Sequence, residues 1–263
     1  MKQLIVNADD FGASEKRNLG IIESHRRGIV TAASLLANGA AFDHAVKLAR
    51  ETPSLDIGLH LNLSDGRPLL EDHRSLVDEI GCFLGKQQAR TRAPGFDAGE
   101  IERETKAQLG KLHDMGLKVT HLDGHQHIQI YIGSIAHVMR SHGVRWLRCP
   151  WDNLAERLEG RVLVYCAAAL MLRGVAQLGE LRVCDSFGGI ELSESFSREA
   201  LERLIRRLRG GSTELMVHPG YADGPDGFSG PDRERELEAL TDPHVKEVLR
   251  EEGIELTTFA KLA

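Results

Sequence analysis

Short apolar runs alternate with amphipathic stretches along the chain, the pattern of a parallel sheet covered by helices. Strands are predicted near Gln3–Ala8, Ile29–Ala37, Asp56–Asn62, Lys118–Asp123, Val144–Cys149, Leu181–Cys184, Glu214–His218 and Glu255–Thr258. Helices are predicted at Glu15–Arg27, Phe42–Glu51, Ala98–Met115, Ile132–His142, Leu154–Gln177, Arg198–Arg209, Arg233–Leu240 and Val245–Glu252. Gly116, Gly143, Gly210 and Gly253 fall where four of them should stop. Eight strands close a barrel, so the expected fold is α/β, a TIM-like (β/α) barrel forming one domain over residues 1–263. Two connections stand out. Leu63 to Gly95, with Gly66, Pro68, Gly81, Gly85 and Pro94, reads as a binding loop or lid, and Tyr221–Pro231 as a mobile, turn-rich loop.

The polar outliers fall at the C-terminal ends of the predicted strands, which share one mouth in an α/β barrel. Asp9 and Asp10 follow Leu4-Ile5-Val6-Asn7-Ala8, His60 ends the third strand, and His121 to His127 follow the fourth. Arg148 ends the fifth, Asp185 follows the sixth and His218 ends the seventh. In an extended backbone His121, Asp123, His125 and His127 would share one face, although Gly124 can break that alternation. Three histidines and an aspartate in seven residues make an unusual solvated surface, and imidazole is the commonest metal ligand. In Ile57-Gly58-Leu59-His60-Leu61-Asn62-Leu63, His60 lies opposite the leucines. A buried, hydrogen-bonded histidine accounts for it equally until Asp10 and His125 are placed on the same rim. Two imidazoles and one carboxylate then make an open, catalytic type of metal set.

Composition narrows the partners. A chain of 263 residues with 41% hydrophobic content can bury one substantial core. A net charge of -6 with both signs mixed argues against nucleic acid, and Arg203-Arg206-Arg207-Arg209 reads as a solvated helix face. Cys82, Cys149, Cys166 and Cys184 show no zinc or redox spacing, and no signal peptide precedes the first strand, so a cytoplasmic location is expected. The longest apolar run, Val162–Leu172, falls short of the roughly 20 residues needed to span a bilayer, so no transmembrane segment is expected. Peripheral membrane contact and a homo-oligomer stay open.

Asn7-Ala8-Asp9-Asp10-Phe11-Gly12, Gly58-Leu59-His60-Leu61, His121-Leu122-Asp123-Gly124-His125-Gln126-His127 and Met216-Val217-His218-Pro219-Gly220 resemble, in order, the motifs of the YdjC-like carbohydrate deacetylases. That group includes the chitooligosaccharide deacetylases. The His-Leu-Asp-Gly-His-Gln-His segment and Arg145-Trp146-Leu147-Arg148 are most similar to the hopanoid-biosynthesis branch. The resemblance implies a barrel, one divalent metal (zinc or magnesium) held by Asp10, His60 and His125, Asp9 as general base and His218 as general acid. It implies removal of an acetyl group from an N-acetylated amino sugar or glycolipid. Asp123, His127, Arg148 and Asp185 are expected to contact substrate or support the ligands. Many relatives carry a further histidine where this chain has Gln129, which bears on substrate contacts more than on the metal.

The residue types suit amide hydrolysis, which needs activated water, a stabilised oxyanion and a proton for the leaving amine. Other readings are weaker. No phosphate-cradling glycine loop supports a phosphoesterase, and adjacent carboxylates are poorly spaced for glycoside hydrolysis. A non-enzymatic metal- or sugar-binding protein would not need a base and an acid beside the ligands.

Overall fold

The computed structural model describes residues 1–132, 134–150, 169–174, 176, 181–192, 196–224 and 229–262. The helix expected at Leu154–Gln177 lies largely outside them, with 169–174 helical. The chain divides into two compact units, Met1–Leu35 with Gly39–Ile57 and Cys184–Ala263, and Leu36–Asn38 with Gly58–Val183.

In the first unit β1 (Lys2–Phe11) is the central strand. It runs parallel to β7 (Gly211–Val217) from Lys2 to Ala8. On its other edge β8 (Ile254–Leu256) pairs with the beginning of β1, and β2 (Ala32–Leu35) with its end. β6 (Ser186–Gly188) extends the sheet beyond β7. Leu4, Ile5 and Val6 are all fully buried, which is why this strand reads as a continuous apolar run and not as an alternation. Ser14 caps the following helix, Glu15–Arg26, by accepting from the Arg17 amide, with Glu15 in the first turn and Arg26 in the last.

The second unit holds most of β3 (Asp56–Leu61), then β4 (Val119–Gly124) and β5 (Trp146–Leu147), the last two parallel. The Ala98–Asp114 helix, capped by Asp97, buries Ile101, Leu109 and Leu112.

The sheet order is β5-β4-β3-β2-β1-β7-β6, with β8 also on β1. It is open. The expected closed barrel is corrected because β5 and β6, at the two ends of that order, are not paired as strands. The sixth strand also forms later than expected, at Ser186–Gly188 and not Leu181–Cys184, where only an isolated bridge joins Arg182 to Trp146. The long Leu63–Gly95 connection contains a helix, Lys86–Arg92, and a short Val77–Phe83 bridge.

Candidate active site

β1 ends in a backbone irregularity. Neighbouring residues of a regular strand point to opposite faces, but the β1–β2 register shifts between Ala8 and Phe11, and Asp10 takes a left-handed φ of 64°. Such a conformation costs a non-glycine residue roughly 1–3 kcal/mol and persists where surroundings enforce it. Here the Gly12 amide donates to Asn18 Oδ1 at 2.6 Å and the Ala13 amide to the Asp10 carbonyl at 3.1 Å. Asp9 and Asp10 are both buried. The Asn7 amide nitrogen donates to Asp9 Oδ1 at 2.9 Å and to Ser34 Oγ at 2.8 Å, fixing one oxygen of the first carboxylate. The other, Oδ2, is 3.9 Å from His218 Nε2.

His218 sits immediately beyond β7. Its amide donates to Glu236 Oε1 at 2.6 Å and its carbonyl accepts from Arg17 Nη1 at 2.8 Å. Burial pushes the imidazole pKa down, against the opposing pull of Glu236, Asp9 and Asp10. Arg17, 2% exposed, also donates from Nε to Ser229 Oγ at 2.9 Å and approaches Asp10 Oδ2 at 3.9 Å.

In the second unit, His60 Nδ1 meets Asp123 Oδ1 at 2.6 Å, and the other Asp123 oxygen pairs with Arg148 Nη2 at 2.8 Å. Burial alone would raise the Asp123 pKa, but Arg148 and His60 outweigh it and hold the carboxyl well below its ordinary range. An anionic Asp123 takes the Nδ1 proton of His60 as a hydrogen bond, so Nε2 of a neutral ring carries the lone pair. That Nε2 faces His125 Nδ1 at 3.4 Å, with the rings edge to face. His125 opens a 3-10 segment, His125–Tyr131, whose next residues, Gln126 and His127, both have left-handed backbones. Arg90 Nε donates to the Gln126 carbonyl at 3.1 Å and so holds this turn.

A carboxylate with two imidazoles, Asp10, His60 and His125, is a set that could hold a metal ion. A second set, Asp9, His60 and Asp123, is poorer chemically because both Asp123 oxygens are already engaged. Two buried imidazoles and one carboxylate suit a divalent cation and leave coordination positions open.

The family model described as YdjC-like protein matches residues 3–251. The chain belongs to the YdjC-like family. A carbohydrate deacetylase of Brevibacillus brevis is 35% identical over 99% of this chain and 99% of its own length. One of Geobacillus stearothermophilus is 36% identical over 97% and 96%. A crystal structure from Enterococcus faecalis, 29% identical, covers 100% of this chain and 99% of its own, with a TM-score of 0.82.

Set against these YdjC-like motifs, the expected residues divide. Asp9, Asp10 and His218 gather in the first unit, and His60, Asp123, His125 and Arg148 in the second. Asp185 does not join them. It is exposed and precedes β6 instead of following a strand, binding the Ser212 amide and hydroxyl at 2.8 and 2.9 Å near the start of β7. Gln129 is buried with Nε2 toward the Arg148 carbonyl at 3.5 Å, and a Cβ on Gly124 would come within 2.4 Å of its Oε1. Sequence reasoning missed Asn7, Arg17, Ser34, Arg90 and Glu236. Asn7 stood inside a quoted motif, two residues before Asp9 and therefore on the same strand face. Arg17, Arg90 and Glu236 look like ordinary solvated helix charges.

Proposed function

We propose that the protein hydrolyses the acetamide of an N-acetylated amino sugar, with one divalent ion held by Asp10, His60 and His125. The observation that carries the reading is the buried set of Asp10, His60 and His125, in which His60 is oriented by Asp123 at Nδ1 and faces His125 Nδ1 through Nε2. The family and the donor set support a metal-binding, carbohydrate deacetylase-like enzyme. The chemistry supplied by an ion there is Lewis acidity toward the acetyl carbonyl and a lowered pKa for water, with zinc and magnesium the preferred ions. Asp9, oriented by Asn7, accepts the proton of the attacking water. His218 delivers a proton to the departing amine. Asp123 and Arg148 keep His60 in one tautomer, and His127, within the turn that opens at His125, contacts substrate or supports the ligands. The family model spans both units, which supports reading residues 1–263 as one catalytic domain.

The motif resemblance to the hopanoid branch favours an N-acetylglucosaminyl hopanoid over a chitooligosaccharide, met by a cytoplasmic protein at a membrane surface. Among the described residues no helix is long and apolar enough to cross a membrane. Acetate release is to be compared on the lipid in detergent and on N,N'-diacetylchitobiose, at one metal and pH. A higher kcat/KM for the lipid is expected. Equal or better turnover of the disaccharide overturns the lipid assignment, and no acetate from any N-acetylated sugar overturns the deacetylase reading.

A further inference from the structure

His218 is held through its main chain by side chains from two helices. Its N–H is taken by Glu236 of the Pro231–Thr241 helix and its C=O by Arg17 of the Glu15–Arg26 helix. Glu236 is itself paired with Arg233 Nη1 at 2.8 Å, and the Gly220 amide returns to the Arg233 carbonyl at 3.2 Å. A strand end needs far less than this to enter a turn.

The approach of the Arg17 helix is unusually close. A Cβ on Gly20 would lie 2.5 Å from Gly220 Cα, and one on Gly220 would lie 3.2 Å from Arg17 Nε. Glycine at both positions lets the helix reach the His218-Pro219-Gly220 turn and seats the guanidinium against it. The same helix start is tied to the chain that follows, because Ser14 Oγ donates to Asp223 Oδ2 at 2.7 Å and the Tyr221 amide to the Lys16 carbonyl at 3.3 Å. Burying a guanidinium is costly unless its donors are satisfied, and Arg17 spreads them over His218, Ser229 and the neighbourhood of Asp10.

From this we infer that Arg17 is a positioning residue for proton delivery: its guanidinium, wedged between the ends of β1 and β7, fixes the backbone of His218 so that the imidazole stays beside Asp9. The inference rests on His218 being the acid of the proposed reaction. A lysine keeps the charge but offers a single ammonium in place of a planar fork, so it cannot serve His218 and Ser229 together.

The test is a double-mutant cycle on the metal-loaded protein with an N-acetylated sugar. Arg17→Lys should lower kcat by about ten- to a hundredfold, the scale of a small misplacement of a reacting group, with KM and metal content unchanged. His218→Ala should lower kcat further, and Arg17→Lys added to it should cost nothing more. Ser229→Ala, which removes only the Nε acceptor, should give a smaller loss that also disappears in the His218→Ala background, and it serves if Arg17→Lys does not fold. Equal losses with and without His218 overturn the positioning role, as does full activity in both the Arg17→Lys and Ser229→Ala proteins. A fully active His218→Ala enzyme overturns the acid assignment and the inference with it.

Discussion

The first carboxylate is oriented by an amide. Asn7 and Asp9 share a face of β1, and Asn7 Nδ2 donates to both Asp9 Oδ1 and Ser34 Oγ, with Asp9 Oδ2 3.9 Å from His218 Nε2. Replacing Asp9 by asparagine keeps volume and packing but removes the proton acceptor. Asp9→Asn should bind metal as the parent does while kcat falls by roughly 10²- to 10⁴-fold, the usual weight of a general base. Metal content by elemental analysis and acetate release on the same preparation check this. Unchanged turnover would make Asp9 structural, and lost metal would make it a ligand. The two adjacent aspartates at the end of Leu4-Ile5-Val6-Asn7-Ala8 fit a solvated turn as well as a reactive pair, and only the histidine-bearing strands further along favoured the second. The left-handed backbone at Asp10 was not legible, because it depends on the β1–β2 register, a property of two strands.

Among the elements, β1 and β3 were the most legible, β1 because a strand buried on both faces leaves a solid apolar run, β3 because Ile57, Leu59 and Leu61 alternate with Gly58 and His60. The sixth strand was displaced because Leu181-Arg182-Val183-Cys184 has strand-like composition, whereas pairing with β7 begins only at Ser186. That displacement carried Asp185 into the candidate list. The Leu63–Gly95 connection shows the opposite limit. Its turn residues pointed to a binding loop or lid but not to what holds it: two buried glutamates on the Ala98–Asp114 helix bind its backbone, Glu104 accepting from the Leu69 and Leu70 amides, and Glu100 from the Arg74 and Ser75 amides and the Ser75 hydroxyl. Burial opposes ionisation of Glu100, but those bonds outweigh it and hold the carboxyl below its ordinary value. A depressed carboxyl stabilises the fold above its unfolded pKa, and the contribution is lost as pH falls through the folded value. Hydrogen exchange at Arg74 and Ser75 should therefore stay slow at neutral pH and accelerate once pH drops below the ordinary carboxylate range. Glu100→Gln should accelerate it already at neutral pH, by about ten- to a hundredfold for weakened bonds to a charged acceptor. Identical exchange in parent and variant would show that the segment is held by something else.

For the molecule as a whole, the order of motifs along the chain was a better guide than the count of strands. Counting strands led to a closed barrel, but two of those ladders are only two or three residues long, Trp146–Leu147 and Ser186–Gly188, and they do not join. Motif order led to the family, which the match over residues 3–251 establishes. The proposed reaction depends on one divalent ion, held by Asp10, His60 and His125, for acetate release. The most direct test of this dependence is a titration of chelator-stripped protein with zinc or magnesium, reading bound metal and acetate production together on the parent and on Asp10→Ala, His60→Ala and His125→Ala. Activity in the parent should rise with occupancy to one ion per chain, and each variant should lose both tight binding and acetate release. Full acetate release by the stripped protein, or three variants that bind the ion as tightly as the parent, would contradict the metal assignment.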